Sequence, residues 1–143
     1  MNRITNWNSK LLTASSFLFT LPGIYSHIHY QHIYNPLLLF ATSLISANYW
    51  YNTVDDWRQQ LHQYISKISF VYFLGTTLLY VPENMNVTFG LPNLYGIGYC
   101  YYKSHEYYTL GNTRWKYYYF GFHGFLTTQL FVTMNYVGKY FSK

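Results

Sequence analysis

Between Leu11 and Val54 the chain contains no Asp, Glu, Lys or Arg. Charge is scarce elsewhere too: charged residues make up 9% of the 143 positions, against ~25% in ordinary soluble domains. A soluble fold would have too few charged groups to solvate its surface. Further nearly uncharged segments follow at 68–82, 84–102 and 117–138. An α-helix rises about 1.5 Å per residue, so a hydrocarbon layer of roughly 30 Å takes ~20 apolar residues. The first uncharged stretch is long enough for two crossings, and the whole pattern is that of a polytopic membrane protein with the lipid bilayer as its first partner.

Other absences narrow the field further. A single cysteine, Cys100, excludes an internal disulfide and a CxxC pair, and reads as a small packing residue. The net charge is +5, but the basic residues stand singly at span ends and form no run that would grip phosphates, so nucleic acid is not a partner. There is no P-loop, dinucleotide fingerprint, HExxH or nucleophile elbow. Nucleotide-driven transport and the common soluble hydrolase chemistries have no support. The basic, then apolar, N-terminal stretch lacks a small-x-small cleavage site before Pro22-Gly23, and reads as an uncleaved first span.

What the chain has in abundance is aromatic side chains: 19 Tyr, 11 Phe and 4 Trp. Tyr and Trp join an apolar ring to a polar tip and suit the headgroup boundary. The mean hydropathy of -0.08 understates membrane affinity because the scale penalises Tyr. The expected architecture is all-α, one transmembrane bundle of about five spans at 11–29, 36–53, 61–80, 87–102 and 117–138. Pro22-Gly23 is expected to kink or end the first span, and SHIHYQHIYNP at 26–36 to form a polar hairpin tip closing at the Asn35-Pro36 turn. Gly90, Pro92, Gly96 and Gly98 weaken the fourth segment, so four spans with a re-entrant 87–102 is the alternative. Arg3, Lys10, Arg58, Lys103, Arg114 and Lys116 fall on one side, with only Lys139 and Lys143 opposite, which places the N-terminus in the cytoplasm. Asn86-Val87-Thr88 matches a glycosylation sequon in a short turn and reads as a chance match.

This topology gathers Asp55, Asp56, His62, His105 and His123 toward the cytoplasmic ends of the later spans. Ser43 and Ser46 lie three apart on the second span, while His62, Ser66 and Ser69 align on the third, so two polar stripes are expected to face each other. Such stripes join helices by hydrogen bonds. They also supply the imidazole, carboxylate and hydroxyl groups of a metal-dependent hydrolase. Asp55 and Asp56 read more simply as an interfacial stop, and His105 as a solvated loop residue. His123, about two turns inside a clean span, needs a partner. Gly124 and Thr128 are expected to let a neighbouring helix approach closely. His27, His29 and His32 have the spacing of a metal set only if the first hairpin folds around an ion, and with no carboxylate near them they read as a polar turn that needs no metal.

A Ser in the second span, an Asp after it, a His beyond and a His in the final span resemble a reduced form of the pattern in the CREST membrane hydrolases. That resemblance implies zinc-activated water acting on lipid amides, with Ser43 or Ser46 and Asp55 or Asp56 as catalytic candidates and His62 and His123 as metal candidates. Two features depart from the family: the final-span HxxxH is His123-Gly-Phe-Leu-Thr127 here, and five spans replace seven. The stretches SLISANYWYNTVDDWRQQLHQYISKISFVYFLG and RWKYYYFGFHGFL also look like small multi-pass membrane proteins of giant viruses and algae. The leading expectation is a non-enzymatic membrane-organising protein or complex subunit, self-associating or joined to other membrane subunits and needing no cofactor. The competing class is the zinc-dependent lipid hydrolase. An ion or proton pathway lined by His123 and the serines ranks last, because no acidic group lies deep in a span.

Overall fold

Five stretches of the chain bury residues spaced alternately four and three apart, the interval that keeps one stripe of an α-helix turned toward its neighbours in a left-handed bundle. The computed structural model describes residues 6–31, 34–51 and 57–142, which are helical apart from short turns and contain no strand. Helix α1 (6–30) runs from Asn6–Ser16 through a 3-10 turn at Phe17–Phe19 into Thr20–Tyr30. Pro22 has no N–H to offer the Leu18 carbonyl. The tightened turn just upstream absorbs that loss while Ser16, Phe19 and Thr20 keep right-handed helical angles. Pro22-Gly23 therefore sits inside a continuous helix instead of ending it.

Helix α1 stops at Gln31, where a left-handed φ of 54° turns the chain and the N–H bonds back to the His27 carbonyl. Helix α2 already begins within Tyr34–Tyr51. Most of the expected polar tip at 26–36 is thus helical, and Asn35-Pro36 is part of α2, not a turn. Asn35 is buried and accepts a 2.7 Å bond from the Tyr72 hydroxyl. Helix α3 spans Trp57–Tyr80. Helix α4 (83–109) joins Glu83–Met85, a wide π turn at Asn86–Gly90 and Leu91–Thr109 without leaving helical angles. The π turn lies just before Pro92, which cannot donate to Thr88. The segment 87–102 hence lies within one continuous helix. At its end Gly111, φ 69°, allows paired bonds from Gly111 N to Tyr108 O and from Asn112 N to Tyr107 O, the left-handed glycine stop of a helix. Helix α5, Trp115–Phe141, follows at once.

Successive helices run antiparallel. Helix α5 packs against α1, α3 and α4, while α2 sits between α1 and α3, so α1, α2, α3 and α5 form a ring with α4 applied to the outside of α5. Two clusters fill the ring. Phe19, Leu39, Phe73, Leu130 and Met134 make the larger one. Leu12, Trp50 and Trp115, flanked by Tyr49, Tyr107 and Tyr119, make the other, at the end where α1 and α5 begin.

Close approach occurs where glycine meets another helix, but not at the position expected. A Cβ at Gly124 would meet nothing within 4 Å, and Thr128 is exposed. A Cβ on Gly138 would collide with the Tyr30 ring, and one on Gly96 would come within 2.9 Å of Phe125. The expected spans fall within the five helices, except that 52–53 lie outside the described residues. No helix among the described residues is long and apolar enough to cross a membrane. The physical reason is that the helices spend their inward positions on Ser, Thr, Asn and Gly, and many outward ones on Tyr.

Candidate functional site

The polar stripes of α2 and α3 face each other. Ser46 Oγ lies 3.1 Å from His62 Nδ1, and Ser66 Oγ, one turn along α3, lies 3.4 Å from the same nitrogen. Thr42, one turn from Ser46, and Ser69, one turn beyond Ser66, bond at 2.7 Å. The Tyr49 ring stacks on the imidazole of His62 at 4.9 Å and 13°. His62 is half-buried, with the Trp50 ring also 6.0 Å away.

His123 is enclosed, at 2% exposure. Its partner is Ser15 on α1, with Oγ and Nδ1 2.8 Å apart. Phe19 and Tyr119 each present an edge at 4.8 Å. The Ser15 hydroxyl also lies 2.9 Å from the Leu12 carbonyl. A serine has one hydrogen, so both contacts hold together only if Ser15 donates to Leu12 and accepts from His123 Nδ1–H. That tautomer leaves Nε2 unprotonated.

The two histidines do not bond to each other. They are joined through rings, since Trp50 lies 6.0 Å from His62 and 5.1 Å from Tyr119, which in turn touches His123. Ser43 is wholly buried and its Oγ has no partner among the described residues. Asp55, Asp56 and His32 lie outside the described residues. His105 is exposed, and no group of three or more His, Cys, Asp or Glu positioned to hold a metal occurs among the described residues. Nearby, Lys103 donates a 2.7 Å bond to Glu106, and that carboxylate holds the ammonium pKa above its ordinary value.

Ser15 was not singled out in the sequence, nor was the aromatic bridge of Tyr49, Trp50 and Tyr119. Ser15 belongs to an N-terminal stretch that resembles a leader. Only the small side chains at Ser15, Ser16, Gly23 and Ser26 hint that one face of it is built for helix contact. At the far end, Tyr25 and Tyr30 both donate to Asn135 Oδ1, at 3.3 and 2.7 Å, and Thr77 meets Thr133 at 2.7 Å. Asn93 reaches from α4 to the Phe125 carbonyl and the Gln129 amide oxygen, both at 3.0 Å. The polar interior is thus organised as bonds between helices. The chain matches no family model, no curated protein and no solved structure.

Proposed function

We propose that this chain is an integral membrane protein crossing the bilayer five times from a cytoplasmic N-terminus, and that it organises a membrane or a larger membrane complex without catalysing a reaction. The observation that carries this reading is the placement of polarity. Ser16, Ser26, Ser43 and Thr133 are wholly buried, whereas Ile28, Val71, Leu78 and Leu79 are each at least 66% exposed. A water-soluble bundle places its aliphatic side chains inward and charges outward. In lipid there is no hydrophobic drive between helices, and small residues with interhelical hydrogen bonds hold the bundle instead. Low mean hydropathy is compatible with this, because polar groups that bond inside the ring never meet lipid.

A zinc-dependent hydrolase is the second reading, favoured by the serine contacts at Nδ1 of both His62 and His123. A histidine fixed through Nδ1 presents Nε2 to a metal. It requires Asp55 or Asp56 to complete the set. Metal analysis of the purified protein separates the two: stoichiometric zinc, lost in both His62→Gln and His123→Gln while the fold persists, establishes the hydrolase reading.

Topology is tested by single cysteines in a Cys100→Ala background. Thr113→Cys should react with an impermeant maleimide from the cytoplasmic side and Glu83→Cys from the opposite side. Labelling of both from one side contradicts the five-span arrangement.

A further inference from the structure

We infer that a buried water molecule is bound between Ser43 and Thr127, tying α2 to α5 across the centre of the ring. Many of the buried hydroxyls donate to a carbonyl of their own helix: Ser16 to Leu12, Thr20 to Phe17, Thr42 to Leu38, Thr77 to Phe73 and Thr133 to Gln129, all between 2.7 and 3.0 Å. This back-bonding is the ordinary way to satisfy a helical Ser or Thr away from water. Ser43 and Thr127, like Ser26 toward the other end of the ring, do not use it. Their oxygens are buried with no hydrogen-bond partner among the described residues, in side chains only 0% and 8% exposed.

The register of the two helices brings these hydroxyls to one level. Trp50 of α2 meets Tyr119 of α5 with ring centroids 5.1 Å apart. From that contact Ser43 lies seven residues back along α2, and Thr127 eight residues forward along antiparallel α5. Both displacements run the same way, by about 10.5 and 12 Å. Each residue also sits on its helix's inward stripe, with Leu39, Ser46 and Trp50 on one side and His123, Leu130 and Met134 on the other.

A buried hydroxyl left dry carries a desolvation penalty with nothing to offset it. Two such groups, each able to donate once and accept twice, offer a water the two to four polar partners that buried waters require. A cation is disfavoured because the described residues around them include no carboxylate. The inference concerns the ring interior alone and holds whether lipid or water surrounds the bundle.

The sign of a stability change tests it. Removing a dry, unpartnered hydroxyl raises or leaves unchanged the melting temperature, whereas removing one anchor of a shared water lowers it. Ser43→Ala and Thr127→Val in the full-length purified protein should each lower Tm by about 2–4 °C, and the double variant should fall no further than the worse single, because both lose the same water. Unchanged or raised Tm in the singles, or additive losses in the double, overturns the inference. Solid-state NMR adds a direct readout: magnetisation transfer from bound water to the Thr127 methyl in the parent, abolished in folded Ser43→Ala. Absence of that transfer in the parent, or its persistence in the variant, also overturns it.

Discussion

The two ends of the ring use the same spacing of buried positions and fill it with opposite chemistry. Around Met134 the interior is aliphatic, with Leu39, Phe73 and Leu130, and its polar ties are short and redundant: Thr77 to Thr133, and two tyrosines on one asparagine. Around His123 the interior is a chain of rings, Tyr49, Trp50, Tyr119 and two imidazoles, with ties from His123 to Ser15 and from His62 to Ser46 and Ser66. The first end is held by packed volume. The second is held by flat surfaces that touch edge to face and by hydrogen bonds each worth only about 1 kcal/mol.

The largest effect should come from removing volume at the aliphatic end. Met134 is wholly buried, and Met134→Ala should cost about 2–5 kcal/mol of unfolding free energy, read by chemical denaturation in detergent. A loss under 1 kcal/mol means that the ring collapses around the gap. Next comes overpacking at the same end. Gly138→Ala drives a methyl into the Tyr30 ring and should cost about 1–3 kcal/mol, whereas Gly124→Ala, facing open space inside a helix, should raise stability by about 0.5–1 kcal/mol. Equal effects at the two glycines erase the distinction between an inward and an outward face of α5.

The smallest effect is expected at the aromatic end. Gln in place of His123 retains an amide able to bond Ser15, so His123→Gln should cost about 1 kcal/mol or less. A loss comparable with that of Met134→Ala shows that the imidazole shape, not the hydrogen bond, holds the rings together.

Helix existence was legible in the sequence because long uncharged runs bounded by Arg, Lys and Pro-containing turns leave a chain few alternatives. The facing of Ser46 and His62 was legible too, since polar residues three and four apart define a stripe. The rotation of α5 was not. Gly124 and Thr128 form as plausible a small-residue seam as Gly138, and each residue along a helix turns by about 100°, so choosing between them requires knowing where Tyr30 sits. Ser15 was missed for a related reason: its partner is 108 positions away in sequence. Pro22 and Pro92 misled because the cost of a lost N–H was counted without the 3-10 and π turns that spread it over neighbouring residues. Asp55 and Asp56 remain proposals for the hydrolase reading alone.

The central claim is that the outward side chains meet hydrocarbon while the interior carries the polar ties. Spin labels at Leu44, Val71 and Leu78, each more than half exposed, test this in protein reconstituted into phospholipid bilayers. The account predicts high collision rates with dissolved oxygen and low rates with a water-soluble nickel complex at all three positions. High nickel accessibility there would place those faces in water and contradict it.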